Sequence, residues 1–227
     1  LESVTHSIES ALAGSYVDQS GGEIILITMQ IDDSISMEGD KIANVIRGHN
    51  EIMDKMSKTP QGMRVLVQTP RLNGASINPF RPFIHAKHLS RENCQANGGT
   101  PLFEKTIVTL GTVLAKTEEL VALGSQRVRS GTLLMTDGEA GDSTDSNKSM
   151  VASLVADMRQ VGDHIVAGMG IGSADQYRPT FLSMGIPPEL IFSANSRDEI
   201  LEAFRMFGFT LLELTAGHDQ AVQTFGQ

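Results

Sequence analysis

Apolar runs of strand length alternate with helix-length segments that carry apolar residues on one face. The first clear run, Ile24-Ile25-Leu26-Ile27, is rich in β-branched residues and bounded by Gly21-Gly22, which predicts a strand over about 23–31. It shows no polar alternation, as expected of a strand covered on both faces of a parallel sheet. Ile42, Val45, Ile46, His49, Ile52, Met53 and Met56 then recur at the 3.6-residue period and predict a helix over about 40–57, stopped by Pro60-Gln61-Gly62. A strand over 63–68 follows. After Asn73-Gly74 comes an extended stretch over about 77–85, which Pro79 and Pro82 assign to an antiparallel edge. Further along, the pattern predicts a helix from Thr100 to about 123, a strand over 131–136, a helix over about 148–161, a strand over 164–170, a short helix over about 175–184, a strand over 190–193 and a last helix over about 196–214. Thr100 is expected to cap the helix after Asn97-Gly98-Gly99, with Pro101 as its first residue. Ser196 with Glu199 three residues on matches a capping box.

Strands alternating with helices predict an α/β fold: a Rossmann-like, doubly wound, mostly parallel sheet of about six strands with one antiparallel edge strand and helices on both faces. Residues 1–21 read as an N-terminal helical extension, 22–214 as the domain and 215–227 as a C-terminal tail.

Polar clusters fall at the predicted carboxyl ends of strands, where loops converge and ligands bind in such sheets. Asp32-x-Ser34-x-Ser36 follows the first strand, Thr100 follows a glycine pair, and Asp137-Gly138 follows Leu133-Leu134-Met135-Thr136. One carboxylate and two hydroxyls in the first cluster make a hard-oxygen site suited to Mg2+, Ca2+ or Mn2+. Taken alone, each cluster is also an ordinary turn. Asp33 reads as a solvent-facing or backbone-bonding neighbour, and Glu139, Asp142 and Asp145 as a solvated acidic rim. His85 and His88 have an i, i+3 spacing that suits zinc, but lack a partner at ligand spacing and read as surface residues. His49 reads as a satisfied core histidine and Cys94 as a bystander thiol.

In this order and spacing the clusters resemble the von Willebrand factor A (vWA) domain, whose metal-ion-dependent adhesion site (MIDAS) uses five such side chains. All five are present, as Asp32, Ser34, Ser36, Thr100 and Asp137, and the resemblance spans about residues 22–214. Ile35 departs from the glycine frequent in the family, at a variable position. The resemblance implies that Ser34, Ser36 and in some states Thr100 touch a divalent metal, Mg2+ or else Ca2+ or Mn2+, while Asp32 and Asp137 act directly or through water. It implies a non-enzymatic protein–protein interaction module that engages an Asp or Glu carboxylate of a partner protein within an intracellular multi-protein assembly. An AAA-type ATPase or self-assembly would supply that partner. In some relatives, engagement is coupled to movement of the last helix, here with Phe204, Phe207, Phe209, Leu211 and Leu212 as packing residues. Two alternatives are a metal-dependent phosphohydrolase with Asp32 as nucleophile and a scaffold whose metal is purely structural. Against the first, Ser34 stands where such enzymes generally want a second acid. No Gly-x-Ser-x-Gly elbow or Walker A loop is present either.

Composition narrows the partners. The 227 residues carry a formal charge of -9, against a nucleic-acid or anionic-membrane binder. No apolar run approaches a membrane span. One cysteine, the acidic balance and the lack of a signal-peptide pattern lead to the expectation of a cytoplasmic, bacterial protein. Since the sequence starts at Leu1, a processed or excised secreted domain is the alternative.

Overall fold

The computed structural model describes residues 22–57, 64–138 and 140–215. The predicted N-terminal helical extension, the end of the tail and Glu139 lie outside these. Six strands form one sheet: β1 (Glu23–Gln30), β2 (Val65–Thr69), β3 (Asn78–Pro82), β4 (Arg127–Thr136), β5 (His164–Gly170) and β6 (Ile191–Ser193), in the order β3-β2-β1-β4-β5-β6. All neighbours are parallel except β2 and β3. The antiparallel strand is the proline-bearing edge expected from the sequence, with Pro82 opposite Leu66.

Among the described residues, five α-helices cover the sheet: α1 (Asp40–Ser57), α2 (Leu102–Ala122), α3 (Asp145–Val161), α4 (Ala174–Ser183) and α5 (Arg197–Thr215). The alternation of β1 side chains divides the core in two. Ile25, Ile27, Met29 and Ile31 pack with Ile42, Val45, Ile46 and Met53 of α1 and with Ile200, Ala203, Phe204 and Phe207 of α5. Ile24 and Leu26 face the other layer, with Leu110 and Val113 of α2, Val151 and Val155 of α3, and Phe181 of α4. Both faces of β1 are therefore dry, which explains its unbroken apolar run. Thr28 and Gln30 are also buried there: the Gln68 amide donates to the Thr28 hydroxyl at 3.0 Å, and the Gln30 amide nitrogen donates to the Thr106 hydroxyl at 3.0 Å. Among the described residues, no helix is long and apolar enough to cross a membrane.

His49 is the core histidine that the α1 pattern predicts. It is fully buried, with Nδ1 3.1 Å from Asn50 Oδ1 and Nε2 3.1 Å from Thr69 Oγ1. The Asn50 oxygen can only accept, so Nδ1 carries the proton and Nε2 accepts from Thr69. Burial pushes the His49 pKa down to about 4, assisted by His88 and opposed by the Asn50 hydrogen bond. Because the folded value lies below the unfolded value of 6.5, the ring's contribution is complete above pH 6.5 and is lost as pH falls toward 4. Unfolding curves are expected to show a loss of up to about 3 kcal/mol across that window, which His49→Gln reduces. A His49 ring that titrates near 6.5 by NMR would contradict this.

Cys94 is buried, and desolvation, with a smaller push from Asp33, raises its thiol to about 12 against the lowering effect of Arg71. It is core filler, as the bystander reading expects.

Candidate metal centre

The sheet sets up the site through the juxtaposition of β1 and β4. Their register pairs Gln30 with Leu134. Just beyond, the Asp32 amide donates to the Met135 carbonyl at 3.2 Å, so both strands release their loops at one place. Asp32 is fully buried and fixes the first loop. Its Oδ1 accepts from the Ser34 amide at 2.8 Å and its Oδ2 from the Thr136 hydroxyl at 2.6 Å. The chain then makes a short 3-10 turn, Ile35–Met37, before α1.

This turn gathers four of the five expected side chains. Ser34 Oγ lies 3.0 Å from Ser36 Oγ, and the Ser36 hydroxyl donates to Asp137 Oδ1 at 2.8 Å. Asp32, Ser34 and Asp137 are buried while Ser36 is exposed, so the cluster opens to solvent on the Ser36 side.

Thr100 reaches the same place through its backbone. The Asn97 amide donates to the Asp33 carbonyl at 2.7 Å and the Ile35 amide to the Gly98 carbonyl at 3.2 Å. On the other side, the Gly141 amide donates to the Thr100 carbonyl at 2.9 Å. The 97–100 loop is thus tied to both the post-β1 and post-β4 loops. Gly98 is needed for this path: its φ is +70°, and a Cβ there would stand 2.5 Å from Asn73 Oδ1. No hydrogen bond links the Thr100 hydroxyl to the other four side chains.

The expected cap is a correction. Pro101, not Thr100, occupies the N-cap position of α2, and no side chain of its own segment caps the helix. The amides of Phe103 and Glu104 are taken instead by the Asp142 carboxylate, at 3.2 and 2.7 Å. Asp142 is therefore a structural anion and not part of a solvated rim, although Asp145 is exposed as expected. Capping by Asp142 leaves the Thr100 hydroxyl without that task. Asp33 takes the backbone-bonding alternative: it is buried, accepts from the Asn73 backbone amide at 2.8 Å and lies 3.6 Å from the Arg71 guanidinium. The α5 capping box is partial: the Glu199 amide donates to Ser196 Oγ at 3.3 Å, while its carboxylate accepts from the Asn195 amide. His85 and His88 are exposed, and His88 pairs with Asp54 at 3.1 Å.

Lys41 belongs to the site although no motif in the sequence names it. Its ammonium donates to Asp137 Oδ2 at 2.6 Å and to the Ser36 carbonyl at 3.2 Å. A signal existed: Lys41 is the second residue of α1, where the helix dipole disfavours a cation, so a local anion is called for.

The donor chemistry fits a hard divalent cation. Two carboxylates and two hydroxyls share one hydrogen-bonded cluster, and Lys41 already holds a positive charge against it. Burial drives the Asp32 carboxyl above its ordinary range; hydrogen bonds from Ser34 and Thr136 oppose this, and the Asp137 charge adds to it. A cation relieves such a cost. Among the described residues, no three His, Cys, Asp or Glu gather as a metal set, so any ion held here depends on hydroxyl oxygens.

No family model matches the chain, and no curated protein does. Solved structures match its fold. The pilus adhesin SpaC from Lactobacillus rhamnosus GG, in its open conformation, superposes with a TM-score of 0.60 at 12% identity over 86% of this chain. The vWF domain of the type V pili tip protein Mfa5 from Porphyromonas gingivalis gives 0.57 at 12% identity, covering 86% of this chain and 96% of that domain. Manganese-loaded TRAP from Plasmodium vivax gives 0.53 at 14% identity, covering 81% of this chain and 73% of that one. The chain spans only 30% of the length of SpaC.

The fold is that of a vWA domain. These neighbours overturn the cytoplasmic expectation: one is a pilus adhesin and another a pilus tip protein. The features behind that expectation do not record a compartment: the one thiol is buried in the core, and an acidic balance suits either side of a membrane.

Proposed function

We propose that the chain is a divalent-metal-dependent protein-binding module of a secreted or surface-displayed protein. Ser34, Ser36 and Thr100 offer hydroxyls to the ion, and Asp32 and Asp137 support it directly or through water. The observation that carries this reading is the single cluster of Asp32, Ser34, Ser36 and Asp137 at the ends of β1 and β4. Neutral hydroxyls leave a dication electron-poor, so its best outside ligand is a carboxylate from a partner protein. Mg2+, Ca2+ and Mn2+ all suit the oxygen set. Ile35 stands 67% exposed beside the hydroxyls and offers apolar contact to the same partner. The AAA-type ATPase expected from the sequence belonged to an intracellular placement; an extracellular protein or a second copy of the chain replaces it here.

Binding is favoured over phosphoryl chemistry because both oxygens of Asp32 are engaged and the residue is fully buried, a poor position for a nucleophile. The test is adhesion of the pure chain to an array of Asp- and Glu-bearing peptides in Mg2+ or Mn2+ and in EDTA. Binding that needs the metal and is lost in Ser34→Ala with Thr100→Val supports the reading. Equal binding in EDTA, or survival in the double variant, reduces any metal to a structural role. Metal-dependent phosphatase turnover abolished by Asp32→Ala would establish the enzyme instead.

A further inference from the structure

Asp137 has both oxygens occupied by its own chain. Oδ1 accepts from the Ser36 hydroxyl at 2.8 Å and Oδ2 from the Lys41 ammonium at 2.6 Å. The carboxylate is 4% exposed and the lysine side chain 42%, so the ammonium reaches in from solvent over a buried anion. Lys41 makes a second contact, to the Ser36 carbonyl at 3.2 Å, which ties it to the hydroxyl-bearing loop. It is the second residue of α1, where the dipole opposes a positive charge. Held against that opposition by Asp137, a lysine is suited to leave again: its stem is flexible and its head strongly hydrated.

One ammonium, one divalent ion and one buried carboxylate set the consequence. An ion seated among Ser34, Ser36 and Asp137 draws on the same carboxylate charge that the ammonium now neutralises. It would also face that ammonium across a few ångströms of partly dry protein, where like charges repel far more than in water. We infer that Lys41 is an internal counter-ion of the metal centre. It neutralises Asp137 while no metal is bound and must release it when a divalent cation enters, so metal affinity is set by an exchange of one cation for another. This rests on the metal-binding reading above and adds its regulation: the site is closed by its own chain until the divalent ion is abundant enough to displace the ammonium.

The test is calorimetric titration of the full chain with MnCl2 at fixed pH and ionic strength, on the parent, Lys41→Met and Lys41→Arg. Lys41→Met is expected to bind Mn2+ about tenfold more tightly than the parent, and Lys41→Arg within about threefold of it, because the charge alone is decisive. Mn2+ binding by Lys41→Met but not by the parent supports the same inference. Equal or weaker binding by Lys41→Met, with the parent binding normally, overturns the counter-ion role and leaves the metal site standing. Failure of the parent and both variants to bind overturns both. Lys41→Gln repeats the comparison should the methionine variant fold poorly, as judged by its melting curve.

Discussion

Asp137→Ala is expected to weaken Mn2+ binding by about 10–100-fold, the range seen when a group supporting a metal site is removed. Calorimetry on the folded variant reads it. Asp137 is one of only two carboxylates in the cluster, and it alone joins the second serine to the end of β4. Without it, Asp32 remains, but both its oxygens are committed to Ser34 and Thr136. Removing Asp137 also frees Lys41 to leave an ordering role that it has only through that carboxylate and the Ser36 carbonyl. The loss is therefore in binding, with folding affected much less, because the departing buried anion no longer has to be desolvated. Affinity within threefold of the parent would show that Asp137 does not support the ion.

Phe204→Ala is expected to cost about 3–5 kcal/mol of stability, read as a fall in the denaturant midpoint at unchanged slope. Phe204 is fully buried and lies in the core layer between the sheet and the α1–α5 pair. The two helices approach closely at Gly48 of α1, where a Cβ would stand 3.0 Å from the Phe204 ring and 2.9 Å from Ile200 Cγ2. Such a tight crossing relaxes poorly around a deleted ring, so the cavity persists. Phe204 and Phe207 are buried as the last-helix pattern implies; the side chains of Phe209, Leu211 and Leu212 lie outside the described residues. A cost below about 1 kcal/mol would mean that α5 is not a structural part of this core.

The fold was legible where periodicity is strong. The bounds of α1 and β5 follow directly from their apolar spacing, and two prolines marked β3 as the edge. Local pattern failed where distant residues decide. β4 begins at Arg127, four residues before the expected strand, because charges disguise its start. Arg129 is buried there, 2.8 Å from Glu23 on the paired β1. α3 starts at Asp145, ahead of the expected 148, a start disguised by its polar first turn, Asp145-Ser146-Asn147, although Thr144 accepts from the Asn147 amide as a proper cap. The cap of α2 arrives from Asp142, about forty residues away in sequence, which no local reading anticipates.

The same division holds at the site. Asp32, Ser34 and Ser36 are close in sequence and their grouping is readable; Asp137 joins them only through the pairing of β1 with β4, which the α/β alternation does not specify, and its place in the set came from the vWA resemblance. No local motif marks Lys41 as part of the site, because its partner sits 96 residues away. Setting was the least legible. Charge and cysteine count reflect solubility and core packing more than address, and the solved neighbours reversed the inference drawn from them.

The most direct measurement is a crystal of the chain grown in MnCl2 and examined by anomalous scattering at the manganese edge. The account predicts one peak within about 2.0–2.6 Å of the Ser34 and Ser36 hydroxyls, beside Thr100 and Asp137, with the Lys41 ammonium swung away from Asp137. A peak only at exposed groups such as His88 and Asp54, with Lys41 still on Asp137 at saturating metal, would contradict it.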